Sequence, residues 1–203
     1  MAPETLSAIV IGGSAGAFDV LRLVLHSLPP KLPVPLAVVL HLLPTRPSGL
    51  VPALQQVCVL PVREAEDKEP AEPGVVYLAS PNYHLLLEKN RHFSLSTDEP
   101  VHFSRPAIDV LFESAADAYG AELCGILLSG ANEDGARGLQ RIRAVGGLTA
   151  VQAPSTAVAR VMPEAALVLD AAEVALEPHA LGPWLAQNVL ARASAPSSKE
   201  ERP

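Results

Sequence analysis

Residues 7–16, SAIVIGGSAG, decide the fold, because an apolar run ends here in two glycines and a serine. An unbroken apolar run is typical of a parallel strand buried on both faces, and it predicts a first, central strand over residues 6–11. Residues 18–28 then repeat leucine and valine at spacings of three and four, which predicts a helix packed on the sheet. The segment is therefore a strand, a tight turn that contains Ser14, and a helix.

The rest of the chain also alternates strand and helix patterns with short links. Such alternation predicts right-handed βαβ crossovers and an α/β fold, a doubly wound three-layer sandwich with a mainly parallel sheet. Two apolar-rich runs, 84–88 and 92–96, flank a short polar link and predict an antiparallel β-hairpin at one edge. Further strands are predicted at 36–40, 75–79, 123–128 and 148–152, helices at 48–56, 106–119, 136–145 and 178–191, a short strand or helix at 165–169, and a solvated loop at 64–73.

Length and composition favour one compact domain over residues 1–193, followed by a polar, disordered tail over residues 194–203. Apolar residues make up 49% of the chain and aromatic residues 4%, so the core must consist mainly of aliphatic side chains. The formal net charge of -7 argues against a nucleic-acid partner, which would require a basic surface. Cys58 and Cys124 lie in or beside apolar runs, so we expect buried free thiols, with no disulfide, metal site or cofactor.

The N-terminal segment has no basic region ahead of its apolar run, unlike a secretory signal. No apolar stretch reaches the roughly 20 residues that a membrane helix needs. The sequence therefore predicts a cytoplasmic protein that is not inserted in a membrane.

Three polar residues follow apolar runs that are predicted strands: Ser14, His41 and Asp134. Ligands of open α/β sheets bind outside the carboxyl ends of the parallel strands, so these side chains should meet at one edge. A nucleophile, a base and an acid are the components of a Ser-His-Asp hydrolase. The pattern Gly12-Gly13-Ser14-Ala15-Gly16 also suits a sharp turn that exposes a serine hydroxyl near a helix N-terminus.

Each of these features has a simpler interpretation. The glycine-rich turn could bind a nucleotide, but the G-x-G-x-x-G and P-loop spacings are absent and the second strand ends in His41 where a ribose would require an acidic residue. His41 alone could be a structural histidine, and Asp134 could cap the helix that begins near Gly135. Glu133 is a competing carboxylate. The order serine, histidine, aspartate excludes the α/β-hydrolase arrangement, in which histidine comes last.

Five segments resemble the catalytic domain of bacterial chemotaxis protein-glutamate methylesterases, and the similarity spans about residues 7–190. The resemblance implies hydrolysis of glutamate γ-methyl esters on the cytoplasmic helices of methyl-accepting chemotaxis receptors, with release of methanol, and deamidation of receptor glutamines. It implies Ser14 as nucleophile, His41 as general base and Asp134 as orienting acid. The segments are IVIGGSAGAFDVLR (9–22), VVLHL (38–42), SRPAIDVLFESAA (104–116), GILLSGANEDGARGL (125–139) and VMPEAAL (161–167).

By the same resemblance, Ala15, Gly130, Ala131 and Asn132 form the oxyanion and substrate pocket. The family pattern Gly-Met-Gly-x-Asp-Gly has Met where this chain has Ala131 and Gly where it has Asn132, and Ala17 replaces a usual glycine of the nucleophile loop. The receiver domain of familiar methylesterases does not precede the first strand, so either this sequence is a piece of a longer protein or regulation comes from elsewhere, for example from a separate regulatory protein. Two alternatives stay open: a catalytically degenerate module that binds receptors or signalling partners, and a general serine esterase of small molecules.

Overall fold

The computed structural model describes residues 5–41 and 49–193, so the predicted tail at 194–203 lies outside the described residues. None of the helices in the described ranges is both long and apolar enough to cross a membrane. The elements are β1 Ala8–Gly13, α1 Ala17–His26, β2 Leu36–Leu40, α2 Leu50–Gln55, β3 Val62–Glu64, β4 Val76–Leu78, β5 His84–Leu87, β6 Phe93–Ser96, α3 Ile108–Tyr119, β7 Leu123–Leu127, α4 Ala136–Ala144, β8 Leu148–Gln152, α5 Val161–Val168, β9 Val174–Leu176 and α6 Pro178–Ala193.

The main sheet has seven strands in the order β3-β4-β2-β1-β7-β8-β9, and every neighbouring pair is parallel. The predicted central position of β1 is confirmed. From β1 the chain goes to β2, then to β3 at the sheet edge and to β4 between them, and it later returns to build β7, β8 and β9 on the other side. The order therefore reverses between β1 and β7, which is the position where open α/β sheets form a ligand crevice at their carboxyl edge.

Core side chains cover both faces of the sheet. Both sets of alternating side chains on β1 are therefore buried, which is why this strand is apolar throughout. Ile9 and Ile11 belong to the cluster that α1 and α6 complete, whereas Ala8 and Val10 belong to the cluster under α3, α4 and α5. Each fully buried branched side chain contributes about 1.5–3 kcal/mol to stability. The three-layer sandwich and its aliphatic core are therefore as predicted.

Gly12 brings the start of α3 against the end of β1. A Cβ at this position would lie 2.2 Å from Ile108 Cγ2, so any larger residue would push the helix away. The close approach places the first backbone N–H groups of α3 at the carboxyl edge of the sheet.

The predicted antiparallel hairpin is confirmed as a separate two-stranded sheet formed by β5 and β6. It packs against α3, where the Leu87 N–H donates to Ser114 Oγ at 3.2 Å. Backbone hydrogen bonds also tie Phe93 to Lys68 and Glu69, in the segment that joins β3 to β4 at one edge of the main sheet.

Two strands and one helix differ from the sequence-based prediction. β3 and β9 were not predicted, because each has only three residues and neither contains a long apolar run. Residues 165–169, left open as a short strand or helix, belong mostly to α5.

Both cysteines are free and buried, as expected. Burial raises the pKa of the Cys124 thiol to about 12, so this thiol stays protonated and acts as a small apolar side chain.

Candidate active site

Ser14 and His41 lie side by side at the carboxyl ends of neighbouring strands. The parallel register pairs Gly13 with Leu40, and the His41 N–H donates to the Gly13 carbonyl at 3.1 Å, one step beyond the last strand pair. The Ser14 N–H donates to the Ser129 carbonyl at 2.8 Å, which fixes the nucleophile loop to the end of β7. Strand register alone therefore brings the predicted nucleophile and base to the crevice.

Asp134 completes the group from the loop after β7, and it contacts the predicted base directly. Its Oδ2 lies 2.8 Å from His41 Nε2, and its side chain has no exposed surface. The Asp134 carboxylate also accepts the N–H groups of Ile108 at 2.7 Å and Asp109 at 2.9 Å, the first two residues of α3. Asp134 is thus a helix cap, but it caps α3 and not the helix that follows it, whose N-cap is Gly135.

The surroundings of Asp134 favour its charged form. Burial by itself would raise the pKa of the carboxyl, but the hydrogen bond to His41 and the two N–H donors of α3 outweigh it and hold the pKa below its ordinary value. The positive end of the α3 dipole acts in the same direction. Asp134 is therefore a fixed anion that can orient His41 and stabilise a protonated imidazole.

The second imidazole nitrogen of His41 faces a serine that the sequence analysis did not single out. Ser104 Oγ lies 3.4 Å from His41 Nδ1, on the side of the ring away from Asp134. Although both side chains are within the described residues, no hydrogen bond joins Ser14 to His41. His41 is therefore oriented by Asp134 through Nε2 and by Ser104 through Nδ1, at the end of the strand next to that of Ser14.

The nucleophile loop offers free backbone donors. The Ser14 carbonyl accepts the Ala17 N–H at 3.0 Å, which closes a tight turn in which Gly16 has φ +79°. Within the described ranges, no hydrogen-bond acceptor is recorded for the N–H groups of Ala15 and Gly16, which precede α1. An oxyanion held on Ser14 would lie close to these donors and to the positive end of α1.

The three residues 130–132 before Glu133 and Asp134 differ in their surroundings. The Gly130 N–H donates to the Ala159 carbonyl at 2.9 Å and the Gly130 carbonyl accepts the Met162 N–H at 3.0 Å, so the Gly130 amide is not free to bind an oxyanion. Ala131 is exposed, and in the described part of the chain no acceptor is recorded for its N–H. Asn132 turns inward, where its Oδ1 accepts the Asp134 N–H at 3.3 Å.

Asp109 is a second buried carboxylate that sequence reasoning missed. It is 4% exposed, and its Oδ1 accepts the Gly138 N–H at 2.7 Å, which joins α3 to α4. Burial raises the pKa of Asp109 to about 6, the Gly138 hydrogen bond opposes the rise, and the charge of Asp134 adds to it. The sequence did indicate a buried position for Asp109, because it is an acidic residue on the apolar face of a predicted helix.

One cluster could be taken for a metal site. His102, Asp109 and Asp134 each bring a possible ligand atom within 4.8 Å of the others. Both oxygens of Asp134 already accept hydrogen bonds, and Asp109 Oδ1 accepts another. The cluster is therefore explained by the hydrogen-bond network around the active site.

The sequence and the fold both match known proteins. The family model described as CheB methylesterase matches residues 9–185. A Leptospira interrogans protein, named provisionally as a protein-glutamate methylesterase/protein-glutamine glutaminase, is 46% identical over 160 residues, covering 79% of this chain and 83% of the relative. A protein of Bradyrhizobium diazoefficiens with the same two activities in its name is 36% identical over 184 residues, 87% of this chain and 49% of the relative.

The fold comparison agrees with the sequence comparison. The crystal structure of the Thermotoga maritima CheB methylesterase catalytic domain superposes with a TM-score of 0.87 at 30% identity. The match covers 91% of this chain and all of the Thermotoga domain.

Proposed function

This chain belongs to the CheB methylesterase family, and we propose that it hydrolyses glutamate γ-methyl esters on the cytoplasmic helices of methyl-accepting chemotaxis receptors. The observation that supports the proposal most directly is the 2.8 Å contact between His41 and the buried Asp134, made beside Ser14 in the crevice at the reversal of strand order. Family membership identifies the reaction class, and this geometry provides the groups that the reaction requires.

In the proposed reaction, the Ser14 hydroxyl attacks the ester carbonyl while His41 accepts its proton. For this step a ring nitrogen of His41 must reach Ser14. Either Nδ1, which now faces Ser104, turns to Ser14 while Nε2 keeps its contact with Asp134, or a half-turn of the imidazole offers Nε2 to Ser14 and Nδ1 to Asp134. Hydrogen bonds of this kind tighten when substrate binds. Asp134 stays ionised throughout and stabilises the imidazolium.

The tetrahedral intermediate then collapses to an acyl-enzyme. His41 returns the proton to the methoxy oxygen, and methanol leaves. Water, deprotonated by His41, attacks the Ser14 acyl group and yields the glutamate carboxylate. The free N–H groups of Ala15 and Gly16, supplemented by that of Ala131, are the donors we assign to both oxyanions.

The same steps convert a glutamine amide to glutamate. The leaving group is then ammonia, again protonated by His41, and the acyl-enzyme is identical. The names of the relatives combine both activities, which is consistent with one site that acts on either group. Receptor cytoplasmic helices as substrate would put this activity in the cytoplasm.

Methanol release from methylated receptors by the Ser14→Ala variant tests the proposal. We expect loss of turnover by a factor of at least about 10³, because removing the nucleophile disables the triad as a unit. The matched control is Ser27→Ala, an exposed serine at the far end of α1 whose hydroxyl donates to the Leu23 carbonyl. Unchanged circular dichroism and thermal unfolding would show that both variants are folded.

Other results would exclude the proposal. Undiminished methanol release by Ser14→Ala would refute the role of Ser14. Turnover of soluble esters with none on receptors would indicate a general serine esterase, and receptor binding without any ester turnover would indicate a binding module.

A further inference from the structure

A strained turn lies directly over the candidate active site. Val101 and Ser104 exchange backbone hydrogen bonds of 3.1 and 2.9 Å, and we call residues 101–104 the HF turn. Both central residues have positive φ, +47° at His102 and +61° at Phe103. Turns of this form favour Asn-Gly, because the left-handed conformation is unfavourable for residues with larger side chains. The HF turn therefore keeps two bulky residues where the backbone alone would favour small ones.

Contacts with the active site hold the turn in place. Ser104 Oγ lies 3.4 Å from His41 Nδ1, and His102 Nε2 lies 3.5 Å from Asp109 Oδ2. Asn132 Nδ2 reaches the His102 carbonyl at 3.5 Å. Strained non-glycine residues persist where their surroundings over-determine them, and they concentrate at functional sites.

Packing gives no reason for phenylalanine at the tip of this turn. Phe103 is 104% exposed, so its ring lies wholly in solvent. His102 and Ser104, on either side of Phe103, make the contacts that fix the turn. The Phe103 side chain adds nothing to the buried core. An exposed aromatic side chain is typical of a contact made with a partner, since its burial there supplies much of the binding free energy.

The apolar surface continues beyond the turn. His102 lines a cavity of about 350 Å³ whose other walls combine the apolar Ala136, Val168 and Leu169 with the charged Glu133 and Arg137. Val168 is 84% exposed. A polypeptide that crosses the HF turn therefore also finds apolar surface beside His102.

We propose that Phe103 is a specificity-determining contact for the polypeptide segment that carries the glutamyl ester. This inference rests on the proposed function, in which the ester belongs to a protein side chain. When the ester group of a polypeptide reaches Ser14 and His41, the main chain of that polypeptide passes close to Phe103. The segment it fits is a helix with an apolar residue three or four positions from the modified glutamate, because those positions share one helix face. A small soluble ester has no such residue and cannot use this contact.

The test compares two substrates in three variants. For Phe103→Ala, kcat/KM for methanol release from methylated receptor cytoplasmic fragments should fall about 10- to 100-fold, the range expected for one buried aromatic contact. Most of the fall should appear in KM, because the contact is remote from the reacting atoms. Turnover of p-nitrophenyl acetate should fall at least 10-fold less. Phe103→Leu should recover most of the receptor activity.

Val59→Ala is the matched control, since Val59 is 63% exposed and precedes β3, so it lies at the amino ends of the parallel strands, whereas the active site lies at their carboxyl ends. It should leave both activities unchanged. Equal receptor activity in Phe103→Ala and wild type would overturn this inference while leaving the proposed function intact. Equal losses on both substrates would also overturn it, because they would show that the HF turn only positions His41. A wild-type protein that releases no methanol would refute the proposed function, and this inference with it.

Discussion

Replacing Asp109 with Asn should stabilise the protein above pH 6, although it removes a charge beside the active site. Asp109 is almost fully buried and its pKa is raised from 3.8 to about 6, with burial as the main cause. The side-chain oxygen of Asn can still accept the Gly138 N–H that now bonds Asp109 Oδ1. The substitution therefore removes the desolvation of a carboxylate and keeps the link between α3 and α4.

The size and sign of the effect follow from linkage between protonation and folding. A carboxyl whose pKa is raised in the folded state binds its proton more tightly there than in the unfolded chain. Its contribution to stability is fully present below about pH 3.8 and is lost as the pH rises through about 6. A difference of roughly 2 pKa units corresponds to about 3 kcal/mol. The stability of Asp109→Asn relative to wild type should thus increase by about 3 kcal/mol between pH 4 and pH 8.

Urea unfolding at several pH values between about 4 and 8 measures this difference. Asp98→Asn is the control for the removal of a carboxylate as such, because Asp98 is exposed in the loop before α3. A difference between Asp109→Asn and wild type that stays constant with pH would refute the reasoning. A variant that becomes less stable than wild type above pH 6 would refute it as well.

Two further substitutions test the geometry of the site. Asp134→Asn should lower kcat for methanol release about 10³- to 10⁴-fold, because the amide cannot orient or stabilise a protonated His41; normal turnover would argue against the triad. Its melting temperature should fall as well, since one amide oxygen cannot replace the two oxygens that cap α3. Gly16→Ala should cost about 1–3 kcal/mol in urea unfolding, because Gly16 has φ +79° and an added Cβ would lie 2.4 Å from Val158 Cβ. Equal stability of Gly16→Ala and wild type would contradict that strain.

The sequence was sufficient to place Ser14 and His41, because a buried parallel strand is a local pattern. A continuous apolar run ends where the strand leaves the core, so the polar residue that follows must lie at the carboxyl edge. Register between β1 and β2 then makes the two residues neighbours without any further information. The fold class, the central position of β1 and the positions of Ser14 and His41 at the carboxyl edge are in this sense local properties.

The partners of Asp134 could not be predicted in the same way. Asp134 contacts His41 across 93 positions of sequence and caps a helix that begins 26 positions before it. Helix capping was an alternative interpretation of Asp134, but local sequence suggests only the helix that follows, whereas packing brings the start of α3 closer. Ser104 and Asp109 escaped notice for the same reason, since their roles depend on which segments α3 and its preceding turn touch.

The substitution of Asn132 for a glycine typical of the family has a structural role, which bears on whether the site is degenerate. Asn132 Oδ1 accepts the Asp134 N–H, and Asn132 Nδ2 reaches the carbonyl of His102. A glycine could make neither contact. The side chain therefore ties the aspartate loop to the HF turn, whose Ser104 faces His41. Where the family pattern has Met, this chain has Ala131. The shorter side chain leaves the backbone N–H in place. A chain that had lost catalysis would have no need to connect these elements, so this difference from the family pattern favours an active enzyme with its own way of holding His41 and Asp134.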